Sequence, residues 1–378
     1  MGPSEIVARF GSPLYIYDAD AVRRAWRAFT AAFPYAPCDV HFAIVCNKNA
    51  HLVRLLHSLG AGIHANTPGD AYAAMAAGVF PSRIMYSGTN LDRDDRAFLL
   101  EHGIALNVDS LDQLRELTCA AVGLRLLIDD EARGNRIGVT AAELPQAVAT
   151  GIRIEGLHMY AGTNGMREAR FLECMDRMLE ASDALPDLAY LNLGGGFGIP
   201  YRAGQPPLDV ARLGAAVSAR MEALCQRRGR RIRLIVEPGR VLVGAAGTLL
   251  TTVVSVKERG GRRFVGVDTT VGNIVVESVY HAHHRISALM DGPLLEIPTE
   301  VCGNTTHSRD FLARNCRLPA LRPGDLLALH DVGAYGYAMS SHFLNRPRPA
   351  EVVLDGGEAT LSTRRETFAD LTAMQVRA

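Results

Sequence analysis

At 378 residues the chain is long enough for a large domain and a smaller one, and its 48% hydrophobic and 21% charged content is that of an ordinary globular protein. Its 40 basic and 40 acidic side chains cancel, which excludes the cationic surplus of a nucleic-acid or anionic-membrane binder and favours a small-molecule partner. No apolar run reaches the roughly 18 residues needed to span a bilayer, and Met1-Gly2-Pro3-Ser4-Glu5 lacks the basic and apolar regions of a secretory leader, so the expected location is the cytoplasm. The 7 cysteines are scattered and never spaced as Cys-x-x-Cys, which suits reduced thiols and neither a disulfide framework nor a zinc ribbon. Lysine occurs at Lys48 and Lys257 alone, so a mechanism that needs a lysine amine has two candidates.

In chain order, Ser12–Asp18 alternates as a strand and Ala19–Phe33 has amphipathic helical spacing. From His41 a strand-then-helix rhythm sets in. Strands are predicted at His41–Val45, Gly62–Ala65, Arg83–Ser87, Ile104–Val108, Leu124–Ile128, Ile154–Tyr160, Tyr190–Leu193 and Arg233–Val236. Helices are predicted between them at His51–Gly60, Pro68–Gly78, Arg93–Gly103, Ser110–Ala120, Thr140–Gly151, Met166–Leu185 and Leu208–Arg228. About eight such units favour a closed (β/α)8 barrel over an open doubly wound sheet. In a barrel the C-terminal strand ends share one mouth, which would gather Cys46–Asn49, His64–Thr67, Ser87–Asn90, His158–Thr163, Gly194–Gly198 and Glu237–Arg240. Past Arg240 come strand-like runs without long helices between them, at Val241–Lys257, Arg263–Val267, Pro293–Val301 and Asp325–His330. The last third is therefore expected to be a β domain.

Leu191–Tyr201 reads Leu-Asn-Leu-Gly-Gly-Gly-Phe-Gly-Ile-Pro-Tyr. Gly194, Gly195 and Gly196 have no Cβ to block close approach, and successive N–H groups in such a turn can form a nest for a phosphate; a plain tight turn is the alternative. A second polar, glycine-containing exit follows Leu234-Ile235-Val236, at Glu237-Pro238-Gly239-Arg240. With Val267-Asp268 and, above all, the run from Asp325 to Asp355 (Asp-Leu-Leu-Ala-Leu-His-Asp-Val-Gly-Ala-Tyr-Gly-Tyr-Ala-Met-Ser-Ser, then Arg-Pro-Arg-Pro-Ala-Glu-Val), these stretches resemble the diaminopimelate decarboxylases. More broadly they resemble the alanine-racemase-fold (fold type III) pyridoxal-phosphate decarboxylases, which include the ornithine and arginine enzymes.

The resemblance implies an N-terminal strand segment, 1–28, joining a β domain, 243–378, with the barrel at 29–242. It also implies a homodimer with shared active sites. Gly194, Gly195, Gly196, Gly239 and Tyr335 would bind the cofactor, and Glu237 would face its pyridine nitrogen and keep it protonated.

The departures from the family pattern are concentrated in the reacting groups. The family's first barrel strand ends in Tyr-Ala-x-Lys-Ala-Asn, whose lysine forms the Schiff base; here the run is Phe42-Ala43-Ile44-Val45-Cys46-Asn47, and an isopropyl group cannot form an imine. His64 stands for an acidic residue, Tyr160 for the histidine that stacks on the cofactor, Val276 for the arginine that grips the substrate carboxylate, and Thr306-His307-Ser308 for Cys-Glu-Ser. So many changes count against a single engineered replacement at Val45. The retained cradle with altered reacting groups favours a kept pocket with changed chemistry over random decay.

Lys48 is a candidate amine just past the first strand, with a solvated loop lysine as the plainer reading; Lys257, ahead of a turn, reads as structural. Cys46 reads as small buried packing. His281, His283 and His284 with His64 and His307 are unusually dense, and His-x-His on a strand is a metal-ligand spacing. No carboxylate or cysteine is fixed beside them by spacing, so no metal ligand set is assigned. His307 replaces a carboxyl group with an imidazole that titrates near neutrality, which makes it a candidate acid or base, with Tyr160 and Lys48 as further catalytic candidates. Arg240, Tyr280 and Thr306 would line the substrate side, Arg240 offering a bidentate carboxylate contact.

The expected function is a divergent pyridoxal-phosphate-dependent decarboxylase-family enzyme acting on a small amino acid or amino-acid-derived metabolite, without the usual Schiff-base lysine and with its cofactor possible in non-covalent form. The alternatives are a non-catalytic homologue that binds cofactor or a partner, and a cofactor-independent or metal-using enzyme on the same fold.

Overall fold

Eight parallel strands close on themselves in the computed structural model, which describes residues 1–128, 135–275 and 283–376. Strand β1 (Leu14–Asp18) precedes them in the chain. The barrel strands are β2 (Cys38–Ala43), β3 (Gly62–Ala65), β4 (Ile84–Tyr86), β5 (Ala105–Val108), β6 (Ala121–Arg125), β7 (Arg153–His158), β8 (Tyr190–Asn192) and β9 (Arg233–Val236). Each pairs in parallel with the next, and β9 returns to β2. This unit comprises Arg24–Ile199 and Pro206–Leu242. Five of its helices start on short polar side chains: Asn49, Thr67, Asp92, Ser110 and Asp209 accept first-turn N–H groups of Ala50–Ser58, Pro68–Ala76, Arg93–Glu101, Leu111–Arg115 and Val210–Arg228.

The barrel interior is filled rather than hollow. The Tyr190 hydroxyl on β8 donates to Asn107 Oδ1 on β5 at 2.7 Å, and Asn107 Nδ2 donates to Ser87 Oγ at 2.8 Å. Glycine on the two intervening strands makes room, since a Cβ at Gly123 or Gly156 would collide with the Tyr190 side chain.

The other unit comprises Met1–Arg23, Pro200–Gln205 and Val243–Ala378. Its strands after β1 are β10 (Gly247–Arg259), β11 (Arg262–Val267), β12 (Ile286–Ala288), β13 (Thr299–Cys302), β14 (Phe311–Cys316), β15 (Leu326–His330), β16 (Ala350–Asp355) and β17 (Glu358–Thr363). They order as β14-β13-β11-β10-β1-β16-β17, with β15 pairing both β10 and β12. Central β1 carries buried Tyr15 and Tyr17. Tyr17 donates to Glu351 Oε1 at 2.7 Å and Thr363 to Glu351 Oε2 at 2.6 Å, so the buried carboxylate has partners on both oxygens.

Several boundaries differ from expectation. The predicted strand at Val241–Lys257 begins instead with a short helix, Arg240–Val243, and a 3-10 turn, Gly244–Ala246, because a short apolar run suits either helix or strand. β2 ends at Ala43, and Val45 lies in a 3-10 turn, Ile44–Cys46, rather than in the strand. β6 lies upstream of the predicted Leu124–Ile128, and the helix predicted at Ser110–Ala120 shortens to Leu111–Arg115. The strand predicted at Pro293–Val301 shrinks to β13. The helix Pro3–Phe10, opened by proline and anchored by buried Ile6, was not expected from the pattern. Among the described residues no helix is long and apolar enough to cross a membrane.

Candidate active site

Glu237 follows β9 and is only 1% exposed. Its Oε1 accepts from Asn192 Nδ2 at 2.6 Å, and its Oε2 lies 3.1 Å from His158 Nε2 and 3.4 Å from His64 Nε2. The two imidazoles are stacked at 6.0 Å between centroids. Closure of the barrel brings the ends of β3, β7, β8 and β9 to this one carboxylate. Burial alone would raise the Glu237 carboxyl, but His64, His158 and the Asn192 amide outweigh it and hold the group well below the usual carboxylate range. Burial drives His64 the other way, down to about 4 despite the pull of Glu237, so this ring is neutral near pH 7. Neither ring nitrogen of His64 has a hydrogen-bond partner, and neither does Nδ1 of His158.

The glycine run is held from below. Leu193 N–H donates to Ile235 O at 2.9 Å, Gly194 N–H to Asn192 Oδ1 at 2.9 Å, and Glu237 N–H to Gly194 O at 2.8 Å. Gly194 and Gly196 have φ of 62° and 95°, and a Cβ on any of the three glycines would strike a backbone carbonyl of Met159, Glu237 or Gly162. The N–H groups of Gly195 and Gly196 have no partner among the described residues, which leaves two consecutive backbone donors for an anion.

Val45 is 38% exposed. Its turn is pinned by Ala43 N–H to Pro238 O at 3.1 Å and by Asn47 N–H to Ile44 O at 3.0 Å. Gly239 packs against it so closely that a Cβ there would lie 3.0 Å from Cys46 Sγ and 3.2 Å from Ala43 Cβ. Cys46 is buried, and burial pushes its thiol far up, as a packing residue requires. Lys48 is exposed, and its charge is felt by the Asp70 carboxyl. Tyr160 is 39% exposed, with its hydroxyl 2.8 Å from Thr163 Oγ1 and the Arg125 guanidinium 5.8 Å from its ring. Arg240 opens a short helix directly after Gly239. The strand ends of the barrel unit thus gather Gly194, Gly195, Gly196, Glu237, Gly239, Arg240, Tyr160, Lys48 and His64.

The other unit holds the remaining candidates. Tyr335 has φ of 62°. Thr306 is exposed and His307 half-buried, on a loop organised by Asp310, which accepts from Val271 N at 2.8 Å, Thr270 Oγ1 at 3.1 Å and Thr305 N at 3.0 Å. The His307 ring meets Phe343 edge-on at 5.4 Å. His283 precedes β12 and lies in no strand, so the strand-borne His-x-His arrangement does not hold at that position. His284 is buried, with Nδ1 3.0 Å from His330 O. Tyr280, Val276 and His281 lie outside the described residues.

Sequence reasoning placed His158 at the barrel mouth without giving it a role, and missed Asn192 and Arg125. The one signal for Asn192 was a lone polar residue in Leu191-Asn192-Leu193 just ahead of the glycines; what His158 touches emerges only when β7 closes beside β8.

A family model described as the pyridoxal binding domain of pyridoxal-dependent decarboxylases matches residues 19–244. The diaminopimelate decarboxylase of Methanothermobacter thermautotrophicus is 32% identical, covering 97% of this chain and 92% of that protein. The enzyme of Pseudomonas fluorescens is 33% identical, covering 98% and 94%. A crystal structure of the Helicobacter pylori diaminopimelate decarboxylase complexed with L-lysine superposes with a TM-score of 0.91 at 25% identity, covering 99% of both chains. The cofactor these relatives share can be tested against the residues here. The paired Gly195 and Gly196 donors fit its phosphate, and Glu237 is a permanent anion, whereas Val45 offers no amine for a covalent anchor. By the extent of the match and the completeness of the barrel, this chain belongs to the pyridoxal-dependent decarboxylase family.

Proposed function

We propose that the chain is a divergent decarboxylase-family enzyme that binds pyridoxal phosphate, or a preformed pyridoxal adduct, without a lysine anchor, and acts on a small amino acid or amino-acid-derived metabolite. The observation that carries this reading is the combination at one barrel mouth of an isopropyl group at Val45 with two unengaged backbone donors at Gly195 and Gly196. Those glycines, with Gly194, Gly239 and Tyr335, would hold the phosphate, and Glu237 would serve the ring nitrogen as a fixed negative charge. When bound, pyridoxal phosphate supplies an electron sink for cleavage of a bond to the amino-acid α-carbon.

On the substrate side, Arg240 would take a carboxylate, Tyr160 would cover the ring, and the His307 imidazole would hold or release a proton from the loop that also carries Thr306. Tyr280 belongs to the same proposed set. The named relatives act as diaminopimelate decarboxylases; Val276, where the family has an arginine, supports a different substrate here. The working unit would be a homodimer with shared sites.

The test is an absorption spectrum of the purified chain with added pyridoxal phosphate, before and after borohydride, followed by mass mapping. Reversible binding with no reduced lysine adduct is the expected result. A stable adduct on Lys48 would overturn the anchor-free reading, and no binding at all would move the weight to a cofactor-independent role.

A further inference from the structure

We propose that His64, His158 and Glu237 form a binding site for a borderline divalent cation of the zinc and iron(II) class, at the C-terminal ends of β3, β7 and β9. This goes beyond the cofactor reading above and does not depend on it: an ion on Oε2 and the cofactor's ring nitrogen would be alternative partners of the Glu237 carboxylate, so the two would compete.

Three observations carry it. The donor spacing is the first. The two imidazole-to-carboxylate distances, 3.1 Å from His158 Nε2 and 3.4 Å from His64 Nε2, bracket the edge of about 3.3 Å that a tetrahedral ion with bonds of about 2.0–2.1 Å imposes on its ligands. One ligand atom from each of the three residues lies within 4.8 Å of the other two.

Unpartnered burial is the second. His64 is 5% exposed and His158 is 1% exposed, yet neither ring nitrogen of His64 makes a hydrogen bond, Nε2 having only its 3.4 Å approach to Glu237 Oε2, and Nδ1 of His158 makes none either. A His–carboxylate pair would account for His158 alone. It leaves His64 as a buried polar ring that an apolar side chain of similar size would replace at no loss of hydrogen bonding. With an ion bound, Nε2 of each ring would act as the lone-pair donor and the ring proton would reside on Nδ1.

Support for the carboxylate is the third. Asn192 Nδ2 donates to Glu237 Oε1 at 2.6 Å and leaves Oε2 turned to the two rings, the outer contact that orients a ligating carboxylate. The donor set of two nitrogens and one oxygen suits zinc or iron(II) rather than magnesium or calcium, which take oxygen ligands. Three protein ligands leave a fourth tetrahedral position for a water or substrate oxygen.

The test uses the full chain, stripped with a chelator and titrated with cobalt(II) alone, without pyridoxal phosphate. The expected result is one equivalent bound, with the intense visible bands of a low-coordinate ion that zinc then quenches. His64→Leu and Glu237→Gln should each weaken binding at least about tenfold while circular dichroism and thermal melting report an intact fold. His158→Gln is the third variant should either of those fail to fold. No stoichiometric bands with the wild-type chain, or bands unchanged in folded variants of this set, would overturn the site, including the case where the ion sits on His283, His284 or His307. Because cofactor is absent throughout, this result is read separately from the borohydride experiment.

Discussion

Two groups of buried polar residues inside one barrel behave differently. In Ser87–Asn107–Tyr190 each hydrogen bond hands on to the next, and Gly123 and Gly156 are shaped around the ring. In His64–His158–Glu237 the carboxylate is hydrogen-bonded but three imidazole nitrogens make no hydrogen bond, and His41 on β2 adds a fourth at Nδ1. A satisfied chain of hydrogen bonds contributes to the fold and needs no ligand to explain it. An unsatisfied one costs stability in the isolated chain, and its persistence points to a ligand or a reaction.

The contrast can be broken most severely at Tyr190. Tyr190→Ala should cost about 3–5 kcal/mol in denaturant unfolding, because the ring fills space that two glycines reserve for it and Asn107 loses its donor. A loss under about 1 kcal/mol would show that the interior collapses easily and that the ring is no keystone.

Acid should discriminate next. Burial holds His41 at about 4 in the folded chain against 6.5 in its ordinary state, so between those values the unfolded chain binds a proton that the folded chain refuses. Stability from this residue is therefore full above pH 6.5 and falls as pH drops, by roughly 3 kcal/mol on reaching pH 4. His41→Leu should flatten that part of the pH profile; an unchanged slope would place the acid sensitivity elsewhere.

The smallest effect sharpens the comparison most. With a chelator present, His64→Leu should change stability by less than about 1 kcal/mol, since the ring it removes makes no hydrogen bond. A loss as large as that of Tyr190→Ala would mean that the two groups are energetically alike after all.

The barrel was legible because its signal is repetitive: strand and helix alternate from His41 to Val236, and Gly62–Ala65 and Arg233–Val236 have the same bounds in the pattern and in the fold. The short strands β12, β14, β16 and β17 were not read as strands, since three to six residues carry too little alternation to separate them from loop. The glycine run and the Glu237–Arg240 exit could be read locally. The partner of His158 could not, because Leu157-His158-Met159 gives no hint of the carboxylate 79 residues away that barrel closure brings to it. His64 stood out at the mouth, among the dense histidines and as a departure from a family pattern, but what it touches is a tertiary fact.

The turn around Val45 is fixed by contacts that leave that side chain out: Ala43 to Pro238, Asn47 to Ile44, and Gly239 against Cys46 and Ala43. A different side chain at position 45 would leave those hydrogen bonds in place, so what the position offers to the mouth can change without rebuilding the turn.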